Sequence, residues 1–435
     1  MTEPNIFLIV LDSTRHEYLG VYDNEARTPN IDDLAEKGLT FDNAFAPSGW
    51  TPPSHASMFT GKRPTDVGGT SPEPEIKSGT ETIASRLSEK GYRTAAYHTA
   101  AHISKEAGYS QGFDKYKDVR HEYPRKKTLN PFMWADTMLQ RIWGRKDREL
   151  FLTYLLNREI KTSEEPLFVF TNYQTPHRPY APHFLAKSRF GNTEVSAEIQ
   201  QLIDDGKEEL GRKASNGEID ISEEDREALL NLGRAETYRV DFYIGRLVKK
   251  LKKEDMYENS VLIITADHGD NFGENGLFEH GYLSKENLHV PLIISGGFIE
   301  AQDRIEETVS TKNLKQFIEE GPEDQEKALD SLKTEYAVSE LGESSIAQKH
   351  DFPWLDASIS VTDGENQLLK RKNFEDISGK FTERGVDYNE DIPEEKKKRM
   401  EKEAGGFENF QAAGRDFNNF DDEEVKSKLA DLGYT

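Results

Sequence analysis

Cysteine is absent from the 435 residues. That excludes disulfides, thiolate nucleophiles and cysteine-bound zinc. Long apolar runs are also missing, and none approaches the ~20 residues of a membrane-spanning helix. The start Met1-Thr2-Glu3-Pro4 carries no basic leader and no small-residue cleavage site. No signal peptide or membrane insertion is expected, and the expected location is cytoplasmic. Positive charge is in deficit: 56 Lys and Arg stand against 80 Asp and Glu, for a net charge of −24. Such a chain is a poor candidate for binding nucleic acid or an anionic membrane through its general field. Its acidity suits a solubility surface, of the kind a high-salt environment favours.

Hydrophobic residues make up only 35% of the chain, yet that is still roughly 150 side chains, enough for a sizeable core. The run Ile6-Phe7-Leu8-Ile9-Val10-Leu11 is continuously apolar, as in a strand buried on both faces of a parallel sheet. Leu167 to Phe170, Val261 to Thr265 and Val290 to Ser295 read the same way, while Leu39 to Ala46 and Tyr92 to Tyr97 read as further strands. Between them lie helical patterns over Ile31 to Lys37, from Pro52-Pro53 to Gly61, over Ile83 to Lys90, over 131–160 and over Glu223 to Lys253. Alternating strands and helices predict an α/β fold: a large mixed, mostly parallel sheet covered by helices on both faces. After about residue 325 the strands become shorter and less apolar. A catalytic domain over 1–325 and a smaller C-terminal α+β part over 326–435 are expected.

In open α/β sheets, sites form beyond the carboxyl ends of strands. Asp12 ends the first strand, and Asp267-His268 follows Val261 to Thr265. Carboxylates with an imidazole suit a divalent cation. Each also has an ordinary reading as a turn residue. Thr51 opens a helix, where it reads as a cap. The same position offers a dipole and backbone N–H groups to an anion, and a hydroxyl beside a metal is a potential nucleophile.

Four stretches taken together resemble the sulfatase family of the alkaline-phosphatase superfamily: Leu8 to Arg15, Trp50 to Gly61, Thr175-Pro176-His177-Arg178-Pro179, and Thr265 to Gly273. His280-Gly281, Val290-Pro291 and the ending Leu429 to Thr435 extend the likeness. The resemblance implies one divalent ion, Ca²⁺ by family habit with Mg²⁺ or Mn²⁺ as alternatives, held by Asp12, Asp267, His268 and Thr51. It implies catalytic roles for Thr51, His280, His177 and His55, the last standing where sulfatases carry Arg. Lys62 and His177 would bind the anionic group of a sulfate- or phosphate-ester substrate. Three departures stand out. Thr51 occupies the position of the Cys or Ser that sulfatases convert to formylglycine, which Thr cannot form. Ser13 replaces the second Asp of the metal motif. The Gly-Lys-Trp-His segment gives way to Tyr97-His98-Thr99-Ala100-Ala101-His102. A threonine ester needs attack by water or another acceptor, a route that suits phosphate esters. The expected function is therefore a metal-dependent hydrolase of sulfate or phosphate esters using Thr51. The alternatives are a phospho-group transferase, a phosphodiesterase or a non-catalytic anion-binding member.

Overall fold

The computed structural model describes residues 3–70, 74–122, 148–163, 165–182, 184–204, 210, 213–214, 218–299, 302–321, 325–342, 357–382, 385–408 and 410. Most of the 131–160 pattern and the ending 429–435 lie outside these; within the former, Arg148–Thr162 is helical.

The continuous apolar runs become the centre of one sheet. Its strands are β1 (Asn5–Leu11), β2 (Leu39–Phe45), β3 (Arg93–His98), β4 (Lys115–Asp118), β5 (Leu167–Tyr173), β6 (Ser260–Ala266), β9 (Leu292–Ser295) and β10 (Asp303–Ser310). A two-stranded ribbon, β7 (Asn271–Phe272) with β8 (Phe278–Glu279), stands apart from the sheet. The large sheet runs β10-β2-β9-β6-β1-β5-β3-β4, and β9 alone runs antiparallel to its neighbours. Every residue of β1, β5 and β6 is buried, which is why these strands read as unbroken hydrophobic runs.

Successive side chains of β1 go to opposite faces. Ile6, Leu8 and Val10 pack with Phe168, Phe170 and Ile263 under α2 (Thr51–Thr60), together with α3 (Ile83–Glu89) and the helix Leu314–Glu320. Phe7, Ile9 and Leu11 pack on the other face against α1 (Pro29–Ala35) and the helices Arg148–Thr162 and Glu223–Lys253. Each large side chain so buried contributes about 1.5–3 kcal/mol. The two-faced burial gives the expected three-layer α/β architecture. Ser222 caps the 31-residue helix Glu223–Lys253 by accepting from the Asp225 amide.

The helix Gln325–Leu332 still buries Ala328 and Leu332 in the core under α2. The division at 325/326 read from the sequence falls between its first two residues. Beyond lies a separate antiparallel sheet: β11 (Ala337–Leu341), β12 (Ser358–Thr362), β13 (Asn366–Arg371), β14 (Ile377–Thr382) and β15 (Gly385–Asp387). The helix Glu394–Ala404 covers it through Met400 and Ala404, so the charged run 394–402 is a solvated helix with one buried edge. Among the described residues, no helix is long and apolar enough to cross a membrane.

Candidate active site

The carboxyl ends of β1, β5 and β6 open beside the first turn of α2, and there the chemistry-bearing side chains meet. Thr51 is the first helical residue, with Trp50 rather than Thr51 in the cap position. Its hydroxyl lies 3.0 Å from His268 Nε2. The His268 Nδ1 faces the Gly269 carbonyl at 3.0 Å. A carbonyl only accepts, so Nδ1 carries the proton and the bare Nε2 faces Thr51. The helix dipole points at this spot. The expected cradle of free N–H groups is smaller than the sequence suggested, because Pro52 and Pro53 have none to give. The Thr51 N–H and the dipole remain.

Asp12 and Asp267 are both buried beside Thr51. Donor atoms of Asp12, Asp267 and His268 lie within 4.8 Å of one another. Asp267 Oδ1 accepts from the amides of Ser13 (3.2 Å) and His268 (3.0 Å). Its Oδ2 is 3.6 Å from both His55 Nδ1 and His268 Nε2 and accepts no hydrogen bond of normal geometry. Burial, and then the charge of Asp267, hold the Asp12 pKa well above the ordinary range. Burial pushes Asp267 the same way, but His268, His55 and the Thr51 hydroxyl outweigh it and lower its pKa. Two buried carboxylates, one with an unsatisfied oxygen, beside an unprotonated imidazole nitrogen and a hydroxyl make a donor set that fits a hard divalent cation.

A second cluster adjoins the first. The ribbon pairs Asn271 with Glu279, which sets Asp270 opposite His280. His280 Nδ1 and Asp270 Oδ1 are 2.8 Å apart, and Tyr180 Oη donates to Asp270 Oδ2 at 3.1 Å. Burial would lower the His280 pKa, but the hydrogen bond and charge of Asp270 more than reverse it. The His280 ring sits 4.7 Å from that of His268 and 5.0 Å from that of His177. His177 points its Nδ1 at the Arg178 carbonyl, 2.6 Å away. Burial, then the neighbouring His280, lower its pKa to about 3. Arg178 pairs with Glu279 at 2.5 Å. The loop of His280 meets that of Thr51 through the Gly281 amide, which donates to the Gly49 carbonyl at 2.8 Å. A Cβ on Gly49 would lie 1.9 Å from the Tyr282 carbonyl oxygen, so only glycine permits this approach.

The structure thus brings together Asp12, Thr51, Asp267, His268, His177 and His280. His55 lies beneath them. Its Nδ1 donates to the Thr51 carbonyl at 2.9 Å, one helical turn back, and its ring stands edge-on to Phe59 and Phe170 in the core. It faces Asp267, with Nδ1 3.6 Å from Oδ2. Lys62 is not part of the cluster. It is exposed beyond Gly61, at the far end of a ten-residue helix that spans about 15 Å from Thr51. Of the two histidines in the departing segment, His98 is fully buried with Nδ1 on the Ala100 carbonyl. His102 lies with its ring 6.0 Å from that of Trp50. Asp270 and Asn172 were not singled out by the sequence reading, and Ser13 was noted there only as a departure from the metal motif. Asp270 stands within the run Asp267-His268-Gly269-Asp270, but its pairing depends on a ribbon too short to leave a periodic signature.

A mostly parallel sheet covered by helices on both faces, with a histidine–carboxylate cluster at the carboxyl ends of its strands, defines an α/β protein. The Sulfatase family model matches residues 4–318, and the chain belongs to the sulfatase family. It is 28% identical over 329 residues to iduronate 2-sulfatase of Homo sapiens, covering 66% of this chain and 59% of that one. It is 24% identical over 331 residues to an arylsulfatase of Clostridium perfringens, covering 67% and 68%. The chain spans about 60% of the length of several curated relatives it matches. Among solved structures, the phosphonate monoester hydrolase of Agrobacterium radiobacter superposes with a TM-score of 0.67 at 15% identity, covering 99% of this chain and 96% of that one. A protein solved with its substrate D-glucosamine-2-N,6-O-disulfate gives 0.67 at 16% identity, covering 99% of each. At these identities the structural likeness speaks for the fold.

Proposed function

We propose that this chain is a hydrolase of sulfate or phosphate esters that uses Thr51 as a plain hydroxyl nucleophile. The observation that carries the reading is the 3.0 Å approach of the Thr51 hydroxyl to the bare His268 Nε2, at a helix N-terminus flanked by two buried carboxylates. Family relatives acting on sulfate esters and a fold neighbour acting on phosphonate esters support the same class.

Asp12, Asp267 and His268, with Thr51, would hold one divalent ion: Ca²⁺, with Mg²⁺ or Mn²⁺ as alternatives. Such an ion lowers the pKa of an adjacent hydroxyl and offsets negative charge on the transferred group. With its proton passed to bulk water, Thr51 Oγ1 attacks sulfur or phosphorus as an alkoxide. A bond forms from Thr51 to that atom as the bond to the ester oxygen breaks. His280, its Nδ1–H held by Asp270, gives its Nε2 proton to the departing oxygen. Now neutral, His280 takes a proton from the water that opens the Thr51 ester, releasing inorganic sulfate or phosphate and returning both the Thr51 alkoxide and the protonated His280 for the next cycle. His177 stands beside His280 to accept a hydrogen bond or contact the anion. A formylglycine hydrate expels sulfate by collapse, whereas a threonine ester requires this water. The phosphate ester is therefore the better matched substrate.

The test is a panel of aryl sulfate, phosphate monoester, phosphodiester and phosphonate ester with Ca²⁺, Mg²⁺ or Mn²⁺ added. Turnover of any one supports the reading. Binding of inorganic sulfate or phosphate without turnover of any would mark a non-catalytic anion-binding member instead.

A further inference from the structure

We propose that Asn172 is a positioning residue of the cation cage, fixing Asp12 by a hydrogen bond where the family's second acidic residue is replaced by Ser13. The inference rests on the metal reading above. It starts from β5, Leu167–Tyr173, in which all seven residues are buried. The register sets Asn172 beside Val10 of β1 and His98 of β3. It therefore shares the face of Phe168 and Phe170, which pack under α2. A valine or leucine there would simply extend that apolar row.

Asn172 instead donates from Nδ2 to Asp12 Oδ2 at 3.4 Å. From the other side, Ser13 Oγ donates to Asp12 Oδ1 at 3.2 Å. Each oxygen of Asp12 thus carries one donor, which fixes the carboxylate plane and leaves lone pairs for a cation. Ser13 also ties the two carboxylates together, because its amide donates to Asp267 Oδ1 at 3.2 Å. The serine holds this double contact with φ at +55°, a conformation uncommon for a residue other than glycine.

The other half of the Asn172 amide has no structural use. Oδ1 is buried and accepts no hydrogen bond from the protein, and neither does Nε2 of His98, its neighbour across the strand pair. Unpartnered buried polar atoms are destabilising. An asparagine kept at such a position answers to the carboxylate it holds. Polar residues that orient a metal ligand without touching the metal are commonly required for tight binding, and their loss weakens affinity by 10–100-fold in general.

The test is calorimetric titration of Ca²⁺, Mg²⁺ and Mn²⁺ into the full chain stripped of metal. Asn172→Leu is expected to weaken binding of the preferred ion at least tenfold, while the melting temperature of the stripped protein stays level or rises. Should Leu prevent folding, Asn172→Ala carries the same expectation. Thr171→Val is the control: Thr171 lies on the opposite face of the same strand, buried and with its own hydroxyl unpartnered. It is expected to bind as the wild type does. Affinity within twofold of wild type in Asn172→Leu, or an equal loss in Thr171→Val, overturns the proposal while leaving the metal reading intact. Absence of binding in the wild type overturns both.

Discussion

Asp270 and His280 are held face to face, 2.8 Å apart, by a ribbon only two residues long on each side. The contact fixes the orientation of the imidazole and leaves the opposite nitrogen free of Asp270, the nitrogen that in the proposed reaction protonates the departing oxygen. His280→Ala should therefore slow esters with alkoxide-like leaving groups by two to four orders of magnitude, in the range of general acid catalysis. Nitrophenyl esters, whose leaving group needs no proton, should lose far less. Equal losses on both would show that His280 only positions the anion.

Asp267 offers an oxygen without a normal hydrogen bond beside Asp12 and His268. Asp267→Asn keeps the shape and removes the charge. Divalent-ion affinity should drop at least tenfold and activity should fall with it, and chelator should inactivate the wild type reversibly. Full activity after exhaustive chelation would refute the cation's part in the reaction.

Away from the site, the His289 ring stacks on His16 at 4.0 Å, and its Nε2 lies 2.7 Å from the Asp42 carbonyl. Burial is the main cause that lowers its pKa to about 4. The unfolded chain, with an ordinary pKa near 6.5, binds the proton more readily than the fold. The contribution of His289 is thus complete above about pH 6.5 and is lost as pH falls towards 4, at up to ~1.4 kcal/mol per pH unit. Urea midpoints should decline over that window. The decline should be shallower in His289→Gln, and an unchanged slope would remove this histidine from the explanation.

The contact between the Thr51 and His280 loops makes a stability prediction. In Gly49→Ala the new methyl meets the Tyr282 carbonyl at 1.9 Å, so backbone must move. A loss of about 2 kcal/mol or more in unfolding free energy is expected. Turnover should fall even where the chain is fully folded, because the shift separates His280 from Thr51. Wild-type turnover with reduced stability would show that the loop spacing is not critical.

The elements that could be read from the sequence are those whose burial is simple. β1, β5 and β6 are buried on both faces, so composition alone marks them. The helix Glu223–Lys253 has apolar residues at helical spacing throughout and matches its expected bounds. β4 and β10 escaped notice because edge strands carry charge: Lys115-Tyr116-Lys117-Asp118 buries one residue of four, and Asp303–Ser310 is largely exposed in its first half. At the site, residues on strand ends could be placed because the sheet dictates where they emerge. The place of His55 was not legible since helical phase, invisible without the packing, turns its ring towards the core. The place of Lys62 was not legible since nearness in sequence to Thr51 becomes a helix-length of separation. Asn172 lies two residues past the strand read from the sequence, and only the longer observed strand and its register reveal the link to Asp12.

Thr51 remains the centre of the account. The most direct measurement is mass spectrometry of the enzyme quenched during turnover of its best substrate, run alongside Thr51→Ala. The account expects a sulfate or phosphate adduct on the peptide containing Thr51. It also expects Thr51→Ala to lose turnover by several orders of magnitude while fold and metal binding persist, and Thr51→Ser to keep part of the activity. Near-normal turnover in Thr51→Ala, with no adduct on that peptide in the wild type, would contradict it.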